Sequence, residues 1–420
     1  MFGWEFPPFN SGGLGVACLG LTRALSSRGI EVTFVMPKVL PVTSPYARMR
    51  FADTVEHSIQ EIAGKRIHTI AVSSPISPYT SRSFITSQHS VTLADGTVVN
   101  TDIYGPDLLA QVIRYAFQGG EIANAEQCDV IYAHDWLSFG AGIEAQRITG
   151  KPLIAHVHAT EIDRCGNIDA VNPAVFELER AGMHAADRVI AVSQLTKNII
   201  VKYYGVDPDK VMVVYNGIDD TTMPKKLPGI ASLRMLKASG YSIVLFLGRI
   251  TLQKGPDYFL RAAQRVLEHN KKVIFVISGS GDMERSIMEM SAALGIGTNV
   301  LFTGFLQGDD RTMAYSVADL FVMPSVSEPF GITPLEAMRL GTPVLISKQS
   351  GVSEIIFSAL KVDFWDIDEM ANKILAVIQH PVLHATLRDQ GQSEAQHITW
   401  DKAAICVDSI VHEVSRSSVQ

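Results

Sequence analysis

A chain of 420 residues exceeds what one hydrophobic core supports, since single cores stop growing near ~250–300 residues, so two domains are expected. With 47% hydrophobic and 19% charged residues the composition is that of a globular protein, and its longest apolar runs, such as 243–247, are too short to span a bilayer. The net charge of −7 argues against sequence-independent nucleic-acid binding, which needs a basic face to displace counterions, and confines any anion site to a local cluster of cations.

The opening segment MFGWEFPPFNSGG has no basic n-region and no long apolar stretch, so no signal peptide is read and the cytoplasm is the expected location. Cys18, Cys128, Cys165 and Cys406 are scattered without CxxC spacing, which speaks against a zinc site and against a disulfide framework.

Strand-like apolar runs alternate with helical patterns almost throughout, the pattern of parallel sheets with crossover helices, so the fold class is α/β. The chain opens with a short strand over 2–6 and a Pro-Pro-Phe-Asn-Ser loop. Gly12, Gly13 and Gly15 then lead into an amphipathic helix over 14–27 that Gly29 stops. Further strands are expected at 31–36, 69–72, 130–133, 153–157, 188–192 and 211–215, making one doubly wound domain over 1–220. Residues 80–101, with a DG turn at Asp95 and Gly96, suggest an inserted hairpin. Periodicity lapses over 216–241, and 221–240 is read as the linker.

A second alternating series defines a domain over 241–398, with strands at 243–247, 273–278, 300–303, 320–323 and 344–347. Helices are expected over 256–268 and 282–294, around Met313 and from Thr333. At the last of these, Thr333 as N-cap, Pro334 at the first helical position and Glu336 three residues on read as a capping box, with Gly341 and Pro343 ending the helix. Gly331, Ile332 and Thr333 are then loop residues whose amides, with the helix dipole, offer an anion site. A terminal helix from Trp400, within 399–420, is expected to cross back to the first domain.

Chemistry gathers at the carboxyl ends of strands, where open α/β sheets bind ligands. NSGGLG lets backbone approach a ligand, although Cys18 stands at the third glycine of a dinucleotide fingerprint and Glu31 begins its strand, which disfavours NAD. Tight helix packing alone is the alternative use of those glycines. GRITLQKG sets Arg249 and Lys254 just past a strand, a pair suited to a diphosphate; the alternative is a solvated charge pair. SGSGDM repeats the strand, glycine loop and helix order, and TGFL brings Gly304, Phe305 and Leu306 to the same edge. HDW supplies His134, Asp135 and Trp136, and HVHATE supplies His156, His158, Thr160 and Glu161. His156 and His158 have metal-ligand spacing, but no second cluster completes such a site, so no metal is expected. Asp366 and Asp368 are read as opening the following helix.

GGLG, HDW, HVHATE, NGID, GRITLQKG and EPFGITPLEAM, in this order over nearly the whole chain, resemble the retaining glycosyltransferases of family 4 and the glycogen and starch synthases related to them. The resemblance implies a GT-B architecture, two Rossmann-like doubly wound domains across a cleft, with the nucleotide mainly on the second and the acceptor mainly on the first. It implies Arg249 and Lys254 as a diphosphate clamp, Glu336 on the ribose hydroxyls and Glu328 beside the donor sugar. The amides of Gly331, Ile332 and Thr333 would meet the diphosphate or sugar, as would those of Gly12 and Gly13. His158 would touch the transferring sugar, Asn216 and Asp219 would stand near the hinge, and the base would rest near Gly304, Phe305 and Leu306. His134, Asp135, Thr160 and Glu161 are acceptor-side candidates. Glycogen and starch synthases carry a Lys two positions before the paired glycines where this chain has Asn10, which points away from a polymer synthase.

The expected reaction is metal-independent transfer, with retention, of a hexosyl group, above all glucosyl, from a nucleotide diphosphate sugar to a hydroxyl acceptor such as a glucan or another saccharide. No cofactor beyond the donor is expected. The alternatives are a non-catalytic sugar-nucleotide-binding protein and a GT-B phosphorylase or epimerase.

Overall fold

The computed structural model describes residues 1–9, 12–38, 40, 42–52, 90–92, 98–100, 108–219 and 231–417. The chain divides into two compact units, Met1–Glu161 with Val171–Gly217 and Trp400–Gln420, and Ile162–Ala170 with Ile218–Thr399. The main break in the chain lies between Gly217 and Ile218. The placement of 162–170 in the second unit does not follow from any contiguous division of the sequence.

In the first unit, α1 (Gly13–Ser27) buries Leu14, Ala17, Cys18, Leu21 and Leu25, spaced so that one helical face enters the core. The strand β1 (Thr33–Met36) pairs in parallel with β2 (Arg48–Phe51). The expected strand at 69–72 lies outside the described residues. A short antiparallel pair, β3 (Ser90–Thr92) and β4 (Val98–Asn100), forms within the expected insertion; its DG turn also lies outside them. Next come α2 (Leu108–Ala125), β5 (Ile131–His134), α3 (Trp136–Thr149), β6 (Leu153–Val157), α4 (Glu161–Cys165), α5 (Pro173–Ala185), β7 (Arg188–Ala191), α6 (Gln194–Tyr204) and β8 (Val211–Val213). The strands β5, β6, β7 and β8 are parallel neighbours in that order.

The opening strand expected over 2–6 is reduced to single bridges from Phe2 to Val35 and to Ala133. Its ladder stops because Phe6 and Phe9 exchange backbone hydrogen bonds around Pro7 and Pro8, turning the chain off the sheet. The two bridges still matter, since they join the β1–β2 pair to the four-stranded ladder.

The second unit starts with α7 (Ala231–Ala238), inside the stretch read as linker; 220–230 lie outside the described residues. Leu233 is buried, and the Lys237 ammonium reaches Asp319 Oδ1 at 3.0 Å and the Val317 carbonyl at 2.8 Å. So short a helix, with Leu233 its one fully buried apolar side chain among the described residues, leaves no sustained periodicity to read. The elements that follow are β9 (Ser242–Leu247), α8 (Pro256–His269), β10 (Val273–Ser278), α9 (Glu284–Ala293), β11 (Val300–Gly304), α10 (Gly308–Val317), β12 (Leu320–Met323), α11 (Ile332–Arg339), β13 (Val344–Ser347), β14 (Leu360–Val362), α12 (Ile367–Gln379) and α13 (Pro381–Ala395).

Its six strands are all parallel in the order β11-β10-β9-β12-β13-β14. They read as near-continuous apolar runs because helices cover both faces; VIFVIS in β10 is buried at every position. Three-residue β14 escapes a sequence reading by its shortness. Asp366 caps α12, accepting from the Glu369 amide at 3.0 Å.

The last helix, α14 (Trp400–Ser417), packs on α1 within the first unit. A Cβ placed on Gly20 would lie 2.3 Å from the Trp400 indole, and Arg28 meets Asp408 at 2.8 Å. Gly20→Val should therefore overpack this contact and cost about 1–3 kcal/mol, measured as an earlier unfolding midpoint in urea; an unchanged midpoint would show that α14 does not hold α1.

Candidate active site

In the second unit the sheet order reverses between β9 and β12. The strands β10 and β11 step away on one side, and β13 and β14 on the other. Right-handed crossovers then leave the carboxyl ends of β9 and β12 with helices diverging from them, the place where such sheets bind ligands. Gly248 and Arg249 follow β9, and Lys254 ends a single 3₁₀ turn, Leu252–Lys254. Gly255, at φ +65°, passes so close to the chain after β12 that a Cβ there would stand 2.3 Å from the Pro324 carbonyl oxygen. The Val326 amide donates to the Gln253 carbonyl at 2.9 Å, so the two loops are tied together.

This lacing delivers Lys254 to Glu328. Its ammonium forms a tight ion pair with Glu328 Oε2, and Ser325 Oγ donates to the same oxygen at 3.2 Å. Glu328 is 7% exposed. Its backbone is pinned on the far side, with its amide donating to the Gln349 carbonyl at 3.0 Å and its carbonyl accepting from the Gly351 amide at 2.9 Å. Arg249 lies one turn away and donates to Gln253 Oε1 at 3.2 Å. A cavity of about 40 Å³ opens among Gly248, Lys254, Ser325, Glu328 and Thr333. A larger recess, about 340 Å³, lies between α8 and α12, but it is an open surface valley around the Arg265–Asp368 pair and holds none of these groups.

The capping box does not form. Gly331 takes φ +102° and is itself the N-cap, so Ile332 and Thr333 are the first helical residues of α11, not loop residues. The Thr333 hydroxyl turns toward Met323 Sδ at 3.9 Å, and no side chain caps the helix. The Glu336 carboxylate is turned away from the helix start, accepting from the Tyr315 hydroxyl at 3.0 Å and facing Arg311 at 3.5 Å. Burial first, and the neighbouring Glu336 carboxylate second, push the Tyr315 phenol well up, so it stays a donor. The amides of Ile332 and Thr333 still lie in the first turn, where N–H groups have no intrahelical acceptor. Gly304 ends β11 with its carbonyl accepting from the Gly279 amide at 2.9 Å, and Phe305 beyond it is 54% exposed.

In the first unit, register gathers the histidines. His134 pairs directly with His156 across β5 and β6, and alternation returns His158 to the same side. His134 Nδ1 and His158 Nε2 lie 2.9 Å apart, and His156 Nδ1 meets the Tyr132 hydroxyl at 2.8 Å. Thus the third ring that the sequence reading lacked is supplied by HDW. Desolvation lowers the proton affinity of all three, His158 to about 3, with mutual repulsion adding to it at His134 and His156. All three are neutral at physiological pH.

Asp135, at φ +58°, brackets the two strand ends: its Oδ1 accepts from the His158 amide at 2.6 Å and from the Ala159 amide at 3.4 Å. Thr160 is fully buried. The Glu161 carboxylate accepts from the Asn172 amide at 3.2 Å, while its own amide donates to Glu179. Asn216 is buried at the end of the unit, two residues beyond Val214, whose amide donates to the Ala191 carbonyl. A Cβ on Gly12 would meet no atom within 4 Å among the described residues. Gly13 begins α1, and Glu5, which sequence reasoning missed, is buried with Oε2 accepting from the Gly15 amide at 3.3 Å. Tyr315, Arg311 and Ser325 were also missed, because their roles depend on pairings that local spacing does not reveal.

The comparisons with known proteins converge on one family. Residues 11–222 match the model of Glycosyltransferase Family 4, and residues 234–394 match that of Glycosyl transferases group 1. A glycosyltransferase of Methanocaldococcus jannaschii is 32% identical over 365 residues, covering 85% of this chain and 82% of that one. A D-inositol 3-phosphate glycosyltransferase of Catenulispora acidiphila is 28% identical over 352 residues, covering 79% and 83%. Among solved structures, Anabaena HepE in complex with UDP-glucose superposes with a TM-score of 0.66 at 18% identity, covering 98% of each chain, a likeness of fold. Two Rossmann-like units with parallel sheets, the two family matches and a relative at this identity establish that the chain is a GT-B glycosyltransferase of family 4, a family of retaining hexosyltransferases that use nucleotide-sugar donors.

Proposed function

We propose that this enzyme transfers a glucosyl group from UDP-glucose to a hydroxyl of a saccharide acceptor, with retention of configuration. The observation that carries the reading is the meeting of Lys254, Glu328 and the first turn of α11 around one cavity at the sheet's switch point, with Arg249 on the same loop as Lys254. The UDP-glucose complex of Anabaena HepE supports the donor.

In this reading the bond between the anomeric carbon and the β-phosphate oxygen breaks. The acceptor oxygen bonds to that carbon on the same face, and its proton passes to the departing phosphate. Negative charge grows on the diphosphate, where Arg249 grips oxygens in a planar fork, Lys254 adds a point charge and the amides of Gly331, Ile332 and Thr333 donate. Lys254 is already paired with Glu328, so the same ammonium links the leaving group to the carboxylate that faces the developing oxocarbenium. Glu336, aimed by Tyr315, takes the ribose hydroxyls. Gly304, Phe305 and Leu306 receive the base.

Nucleotide release should be measured with UDP-, ADP- and GDP-sugars against a panel of saccharide acceptors. UDP should appear only when acceptor is present, and the product should keep the donor's anomeric configuration; tight donor binding without turnover under any pairing would identify a binding protein instead. Arg249→Ala and Lys254→Ala should each lower kcat about 10²–10³-fold with unfolding midpoints little changed; near-normal turnover in both would remove the clamp. Tyr315→Phe keeps its shape but loses the bond to Glu336, so the donor KM should rise several-fold, about 1 kcal/mol, with kcat nearly constant. An unchanged KM would separate Glu336 from donor binding.

A further inference from the structure

We propose that His134, His156 and His158, within the first unit, form a binding site for a divalent transition metal of zinc type. Each ring offers one nitrogen, and these atoms all lie within 4.8 Å of one another. The His134 Nδ1 to His158 Nε2 separation of 2.9 Å is close to the roughly 3.3 Å between two nitrogens on a tetrahedral zinc with bonds near 2.05 Å. Small ring rotations then bring the third nitrogen in. Tyr132 meets His156 Nδ1 at 2.8 Å, the outer contact that turns Nε2 of that ring into the available ligand.

Hydrogen-bond counting favours an ion. A neutral imidazole has one N–H and one lone pair, and burial keeps these rings neutral. His156 Nε2, the nitrogen of that ring left for a ligand, is nevertheless buried with no hydrogen-bond partner among the described residues. Protein interiors rarely leave such atoms unsatisfied. A metal ion takes ring lone pairs without requiring protons to be lost, so the cluster is ready at neutral pH. Its donor set is all imidazole, which selects zinc, cobalt or nickel over magnesium or calcium. Three ligands leave a fourth position open, and His158, the only one of the three rings that is partly exposed, gives the ion a way in.

The test uses the full chain, stripped with a chelator and free of nucleotide and sugar, so that its outcome is independent of the proposed transfer reaction. Zinc is titrated in competition with a chromophoric chelator, cobalt is followed by its visible absorption, and magnesium serves as the comparison. One equivalent of zinc should bind, cobalt should give the intense bands of a tetrahedral site, and zinc should raise the thermal midpoint. His134→Ala and His156→Asn should each weaken zinc binding at least about tenfold. Tyr132→Phe, which keeps all three rings, should weaken it about tenfold and guards against loss of folding in the others. The double variant His380→Ala, His384→Ala, which removes an i,i+4 histidine pair formed by the N-cap and first turn of α13, should bind as the parent does. No stoichiometric binding, binding unaffected by His134→Ala and His156→Asn, or binding lost in the α13 variant would overturn the proposal.

Discussion

The second unit depends on one topological constraint: β9 and β12 are hydrogen-bonded neighbours whose chains leave for opposite sides of the sheet. That divergence opens room at their carboxyl ends, and the room must be held open by loops that cannot relax into each other. Gly255 running against the Pro324 carbonyl, and the bond from Val326 to Gln253, supply the restraint. Charge is placed on this frame afterwards. Lys254 and Glu328 come from the two diverging loops and pair with each other, so a carboxylate only 7% exposed has a countercharge beside it.

The same logic, with different chemistry, organises the first unit. Direct pairing of His134 with His156, and the two-residue step to His158 just past the end of β6, put three rings side by side. Asp135 is the local compensation. Its unusual backbone conformation places Oδ1 against the amides of His158 and Ala159, fixing the end of β6 against the end of β5. In the first unit the site is thus a property of strand register. In the second it is a property of loops at a switch point.

These two origins explain what the sequence could convey. Parallel strands buried on both faces leave unmistakable apolar runs, so β6, β10, β12 and β13 were legible nearly to the residue. The strand β2 was not: it reads RMRF, with Arg48 and Arg50 facing Glu126 at 3.1 and 2.7 Å, and its polar alternation looks like a loop. The positions of Arg249, Lys254 and Glu328 at strand ends were likewise readable. The capping box was a false inference from correct residue types, because the freedom of Gly331 to take a positive φ moved the helix start two residues earlier. That displacement turned Glu336 from a cap into a partner of Tyr315, some twenty residues away, a contact that spacing along one segment cannot announce. The histidine trio was half visible for a related reason: His156 and His158 are neighbours in sequence, while His134 joins them only through pairing of separate strands.

The central claim is that the switch point of the second unit is where a nucleotide diphosphate is held. Titration calorimetry of UDP against the wild-type chain and Lys254→Ala tests it without requiring the acceptor. The account predicts saturable binding by the wild type and an affinity at least about tenfold lower in the variant, the loss expected on removing a charged hydrogen-bond donor to phosphate. Equal affinity in the two proteins would contradict it.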